Sequence, residues 1–303
     1  MRIGVTVAYA RVMYNEIPTV EDYMKFIDWS KNNDFKGFEL AAFTLNQFKR
    51  DFLNKDRVKR LVDYYKSLNI YCNAFEAGFL RNIIIDTSKS IETQLLKYME
   101  DIVNVANLLE TDLIYAHTAP HPSWKIEWKR LYDEYTPPSS ISVPEDFSWK
   151  DAWNKYVDRI KKIVEIAEKA GLLFALEIRP YEIISNADSM LNLISAVDSK
   201  NLGIVFDTAH FFVQKEILPI ALEKLKNNIF LIHLADNDGC NDYHWAPGKG
   251  KIDWENFLKA VKKINYDRFL NIDVAGKYED IAKEINDGKN YIIKLANKIS
   301  IKL

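Results

Sequence analysis

Two cysteines, Cys72 and Cys240, are all that 303 residues contain, too few for a disulfide framework and in no zinc-finger spacing. That usage predicts a reducing cytoplasm. No uninterrupted apolar stretch approaches the roughly 18 residues that span a bilayer, so no membrane partner is expected. The short apolar run 3–10 ends in Ala8-Tyr9-Ala10, loosely like a signal cleavage site, but Gly4 and Thr6 interrupt it and it reads as a buried first strand. An excess of one charge is also missing: 41 basic residues face 43 acidic ones, for a net charge of -2. Nothing in that balance pulls the chain toward nucleic acid or an anionic surface. No low-complexity tract and no repeat beyond an alternation of β and α patterns is present.

What is present is apolar residue, 48% of the chain, with 13% aromatic, enough for a large buried core. Eight β-rich runs, at 3–8, 35–40, 70–75, 112–117, 173–178, 202–207, 229–235 and 269–274, alternate with amphipathic segments. The clearest helical patterns cover 92–109, 151–170 with Gly171 as its C-cap, and 279–299. Eight strands each followed by a helix is the count of a (β/α)8 TIM barrel, an α/β fold that takes about 250 residues as one unit. The whole chain, 1–303, is therefore expected to be one such domain. Residues 118–150 break the rhythm as a long insertion after the fourth strand. Trp124, Trp128 and Trp149 lie in it and Trp153 just beyond, so it is expected either to cover the barrel mouth as a lid or to pack into a small core of its own.

In such a barrel the active site lies at the C-terminal strand ends, so polar residues that close apolar strands share one mouth. Four consecutive strands close in this way, on Glu177, Asp207, His233 and Asp273. Singly, each such acid is most simply a helix cap or an ion-pair partner. In register, three carboxylates and an imidazole make a site that a divalent cation renders tolerable. Three oxygens and one nitrogen favour one ion of Mn2+, Mg2+ or Co2+, with Zn2+ compatible. His117 closes the fourth strand and faces the same mouth, as a contact to substrate or to a second metal; Arg179, just past Glu177, and Glu182 are candidates for substrate contact or for a plain salt bridge.

Three segments around these positions are more specific: Phe206-Asp207-Thr208-Ala209-His210, Ile232-His233-Leu234-Ala235-Asp236-Asn237-Asp238-Gly239 and His244-Trp245-Ala246-Pro247-Gly248-Lys249-Gly250. They resemble segments of the xylose isomerase-like TIM-barrel superfamily, which includes sugar isomerases, ketose 3-epimerases and endonuclease IV. The resemblance implies that Glu177, Asp207, His233 and Asp273 are metal ligands, that Glu177 and Asp273 are the catalytic proton-transfer pair, and that His210 and Asp236 stand beside metal or substrate. It also implies that Lys249 approaches substrate oxygens. Asp273 departs from the superfamily's epimerases, which usually carry Glu there.

The activity so implied is metal-dependent isomerisation or epimerisation of a sugar or sugar phosphate through an enediolate, by proton transfer next to a carbonyl. Nucleic acid is not the expected partner, and a homo-oligomer is left open. Two alternatives remain. Endonuclease IV is a metallophosphodiesterase acting on abasic DNA, and His210, Asp242 and His244 match its additional metal site, with His117 matching a further ligand. No histidine stands at Glu39-Leu40 or at 73–76 to complete that pattern. The other alternative is a barrel that binds sugar without catalysis.

Overall fold

The computed structural model describes residues 1–86, 88–127 and 137–303. Its strands are β1 (Arg2–Val5), β2 (Gly37–Ala41), β3 (Tyr71–Glu76), β4 (Leu113–His117), β5 (Lys125–Glu127), β6 (Ser140–Ser142), β7 (Leu173–Glu177), β8 (Leu202–Asp207), β9 (Ile229–Leu234) and β10 (Phe269–Ile272). Eight of these close into a parallel barrel in the order β1-β10-β9-β8-β7-β4-β3-β2. Helices separate the strands, as the sequence pattern predicts, and the fold is a TIM barrel. The first strand is shorter than expected, because the chain turns into a helix at Ala8–Met13. No helix among the described residues is long and apolar enough to cross a membrane.

Local chemistry sets the helix ends. Ser148 Oγ accepts from the Asp151 amide and starts the helix Trp149–Lys169. Gly171, at φ +73°, follows its end, where the lack of a Cβ makes that conformation cheap. The main apolar core lies between barrel and helices and includes Phe26, Phe38, Phe206 and Phe257. A smaller cluster of Leu113, Tyr115, Ala175, Val205, Leu231 and Phe269 is distinct from it.

Strand periodicity explains why the polar residues gather. Side chains two apart share a face of the sheet, so the face of Leu113 and Tyr115 continues to His117, that of Ala175 to Glu177, that of Val205 to Asp207, and that of Leu231 to His233. Register aligns the ends, with His117 opposite Glu177 and Asp207 opposite His233. Between β2 and β3 the pairing jumps from Phe38↔Cys72 to Glu39↔Ala74, leaving Asn73 as a bulge. Its amide thereby reaches Asn271 inside the barrel, Nδ2 to Oδ1 at 2.8 Å.

The described part of the insertion makes aromatic contacts of its own, while Ala119 within it and Trp153 just beyond it join the main core. β5 and β6 pair as an antiparallel hairpin, the rings of His121, Trp124 and Phe147 are in mutual contact, and Trp149 stacks on Trp153 at 5.9 Å. Trp128 lies outside the described residues.

Candidate active site

Glu177, Asp207 and His233 are buried at the ends of β7 and β8 and within β9, and one donor atom from each lies within 4.8 Å of the others. His233 Nδ1 stands 3.6 Å from Glu177 Oε2 and 4.0 Å from Asp207 Oδ2. Neither His233 Nδ1 nor Asp207 Oδ2 has a hydrogen-bond partner. Buried polar atoms are rarely left so, and a shared cation satisfies both at once. The residues present therefore fit a divalent metal. Asp207 also realises the plainer reading of a strand-end acid: its Oδ1 accepts from the amides of Ala209 at 2.7 Å and His210 at 3.2 Å, capping the helix Thr208–Val213. One oxygen caps, and the other faces the site.

Asp273 reaches the same cavity but stands outside that compact trio. Its Oδ1 accepts the Thr6 hydroxyl at 2.6 Å, and its Oδ2 lies 3.4 Å from His244 Nε2. His244 Nε2 is also 3.3 Å from Asp207 Oδ2, and Asp207, His210 and His244 form a second group of metal-competent donors. His210 is anchored through Nδ1 on Asp242 Oδ2 at 2.7 Å, with its Nε2 3.4 Å from Glu177 Oε1.

Beneath Glu177, Asp207 and His233 lies a set of groups to which sequence reasoning gave no role. His233 Nε2 pairs with Glu39 Oε1 at 2.8 Å, which turns Nδ1 toward Glu177 and Asp207. His117 is held in the same way, with Nε2 3.0 Å from Glu76 Oε1 and Nδ1 3.7 Å from Glu177 Oε2. Tyr115 joins the two acids, donating its hydroxyl to Glu39 Oε2 at 2.7 Å and lying 3.4 Å from Glu76 Oε2. Asn271 Nδ2 donates to Glu39 Oε1 as well. The signal was available for Glu76, which closes β3 as Glu177 closes β7. Carboxylates that orient a ligating histidine govern its tautomer and basicity. Glu39→Gln keeps the shape but removes the charge, so metal affinity is expected to fall about ten- to a hundredfold in a chelator-competition titration. An unchanged affinity would remove this role from Glu39.

Electrostatics follow the same geometry. Burial opposes ionisation of Glu177, yet His117 and His233 hold it well below the usual carboxylate range. Burial likewise opposes Asp207, which His210 and His244 hold low. Burial pushes Asp273 up, and although His244 and His233 draw it down, the carboxylates of Asp207 and Glu177 add to the rise and the net shift is upward. His210 and His233 are lifted well above the ordinary histidine range despite burial, by Asp242 and Asp207 in the first case and by Glu39 and Glu177 in the second. Acid and base are thus matched residue against residue at the floor of the site.

A cavity opens over this floor, lined by Arg11, Phe43, His117, Glu177, Arg179, His233, His244 and Asp273 among others. Among the described residues, none of 118–150 lines it. Two residues expected near substrate are engaged elsewhere. Asp236 is fully buried, its Oδ1 accepting from the amides of Asn237 and Ile252 and its Oδ2 from the Gly248 amide and Trp254 Nε1, so it pins the loop 246–254. Lys249 pairs with Glu284 at 2.5 Å on the helix Ile281–Lys298. Glu182 is in an ion pair with Arg81 at 2.6 Å and accepts from the Thr118 hydroxyl.

Comparison with known proteins agrees with this fold. The profile of the xylose isomerase-like TIM barrel family matches residues 27–295. Fructoselysine 3-epimerase of Escherichia coli O157:H7 is 26% identical over 129 residues, covering 42% of this chain and 47% of that protein. The chain spans about half the length of the curated relatives it matches. Among solved structures, D-psicose 3-epimerase of Clostridium cellulolyticum H10 superposes with a TM-score of 0.74 at 16% identity, covering 100% of both chains. The IolI protein, solved with a zinc atom bound, superposes with a TM-score of 0.72 at 16% identity, covering 98% of this chain and 99% of that one. At such identities these two structures speak for the fold. With the barrel closed in this topology and the profile running over most of its length, the chain belongs to the xylose isomerase-like TIM barrel family.

Proposed function

We propose that this chain is a divalent-metal-dependent isomerase or epimerase acting on a sugar or sugar-like keto compound. The observation that carries the reading is the convergence of the donors of Glu177, Asp207 and His233 on a small cavity that the Asp273 carboxylate also lines. Glu177, Asp207 and His233 would hold the cation, and Asp273 would complete the set. Mn2+, Mg2+ or Co2+ suit such oxygen-rich ligands, and Zn2+ is compatible with them. When bound, the cation stabilises the negative charge that builds on neighbouring sugar oxygens as the proton beside the carbonyl leaves. The names of the relatives, fructoselysine 3-epimerase and D-psicose 3-epimerase, support this class of reaction.

The protein's own groups divide the remaining work. Of the carboxylates that line the cavity, Glu39 and Glu76 are engaged with histidines, and Glu177 and Asp273 take the proton and return it, on the adjacent carbon for isomerisation or the opposite face for epimerisation. His117 and His244, also at the cavity wall, are suited to hold sugar hydroxyls, and Phe43, Val7 and Ala8 supply apolar surface against the carbon chain. The test is a panel of ketoses, aldoses and their phosphates incubated with Mn2+-loaded protein in deuterated water. Deuterium at the carbon beside the carbonyl is the expected product, and its absence from every member counts against the reading.

A second reading has its own observation, the donor group of Asp207, His210 and His244. A multinuclear phosphodiesterase would place another cation there. The variant His210→Ala separates the two. Under the isomerase reading it lowers turnover and keeps one metal per chain, whereas loss of a metal equivalent together with cleavage of abasic-site DNA by the parent protein transfers the assignment to the phosphodiesterase.

A further inference from the structure

We infer that Tyr115 is a positioning residue whose single hydroxyl hydrogen, offered to both Glu39 and Glu76, couples His233 among the proposed metal ligands to His117 at the cavity wall. This rests on the ligand set of the isomerase reading. The residues form a continuous chain. His233 Nε2 is 2.8 Å from Glu39 Oε1, and the Tyr115 hydroxyl donates to Glu39 Oε2 at 2.7 Å. The same hydroxyl stands 3.4 Å from Glu76 Oε2, and Glu76 Oε1 is 3.0 Å from His117 Nε2. Two histidine-carboxylate pairs thus meet head to head on one phenol.

On its other side the chain closes into a ring. His233 Nδ1 lies 3.6 Å and His117 Nδ1 3.7 Å from the same oxygen, Glu177 Oε2. The Tyr115 ring is buried and packs edge-on against both imidazoles, with centroids 6.1 Å from His117 and 5.9 Å from His233. Hydrogen bonds in such a buried chain polarise one another, so a change at one joint is felt at the next.

A phenol has one hydrogen to donate, and here two carboxylates compete for it. With His233 Nδ1 engaged as a ligand, its Nε2 hydrogen becomes a stronger donor to Glu39. Glu39 so satisfied holds the Tyr115 hydroxyl less tightly, and the hydrogen turns toward Glu76. Glu76 then divides its charge between that hydroxyl and His117, and its hold on the His117 ring loosens. Such linkage is reciprocal, so a sugar hydroxyl bound by His117 shifts the affinity for the cation by the same factor. A passive scaffold would hold each histidine separately, and loss of one carboxylate would be felt by its own imidazole alone.

The experiment reads the ring nitrogens of His117 and His233 by NMR in protein carrying isotope-labelled histidine, first without metal. Glu76→Gln meets His117 directly and is expected to shift the His233 signals as well. With Tyr115→Phe added, which keeps the ring between the imidazoles and removes only the hydroxyl, that shift should vanish. Glu39→Gln breaks the chain at its next joint and should abolish the shift in the same way, which keeps the test intact if the Phe variant folds poorly. Affinity for Mn2+ is then measured by chelator competition. Glu76→Gln and Tyr115→Phe should each weaken it several-fold, and the double variant should fall short of the product of the two losses by at least about threefold. The proposal is overturned by His233 signals that ignore Glu76→Gln, by signals that move equally with and without the Tyr115 hydroxyl, or by losses that multiply in full. Protein that takes up no Mn2+ removes the ligand set and the isomerase reading, and the metal-free signals then decide the coupling alone.

Discussion

Replacing Asp207 by alanine is expected to abolish metal retention, from one equivalent per chain to near none by elemental analysis after desalting. The side chain has two tasks, and the variant loses both. Oδ2 is the unpartnered oxygen facing His233 and Glu177, while Oδ1 caps the helix Thr208–Val213. Loss of a cap costs about 1 kcal/mol, tolerable in a barrel of this size, so the protein should still fold. The companion variant Asp207→Asn keeps a capping oxygen and removes the charge. It should melt close to the parent and still lose most of the metal, because a neutral amide is a poor ligand for a hard cation. Full metal content in Asp207→Ala would refute the assignment of the ligands outright.

A second large effect is expected at the proton-transfer pair. Glu177→Gln and Asp273→Asn preserve size and one oxygen while removing the basic carboxylate, and exchange of the hydrogen beside the carbonyl should fall at least ~10²-fold. The two variants differ in what else they disturb. Glu177 belongs to the compact donor trio, so its replacement should weaken the metal as well. Asp273 stands outside that trio, hydrogen-bonded to Thr6, so Asp273→Asn should keep most of the metal while losing exchange. That dissociation of metal content from exchange is the diagnostic result. Wild-type exchange rates in both metal-loaded variants would make the carboxylates ligands only and send the proton through another group, such as His210.

The barrel was legible because parallel strands buried on both faces read as apolar runs, and their polar last residues mark the functional end. Glu177, Asp207 and His233 were found by that rule, and the structure brings them together. Glu39 escaped it because it sits inside β2 between Phe38 and Leu40, and its importance depends on the bulge at Asn73 and on a histidine far along the chain. Asp236 and Lys249 lie in segments that resemble substrate-facing ones, but their contacts are decided by Trp254 and Glu284, which no local pattern reveals. The hairpin of β5 and β6 is short and exposed, without the alternation that betrays a longer strand.

Gly4 illustrates how far upstream the control of such chemistry extends. A Cβ built at that position would stand 2.0 Å from Asn271 Oδ1 and 2.8 Å from Asn73 Nδ2, the amides packed against Glu39 and, through it, His233. The space left by one missing methyl is therefore occupied by the scaffolding of His233, a proposed ligand. In a saturation library scored only for activity, Gly4 would rank among the most intolerant positions, and an observer without coordinates would assign it to the reaction itself. Redesign of the proposed ligand set would therefore have to begin one layer below the residues that compose it.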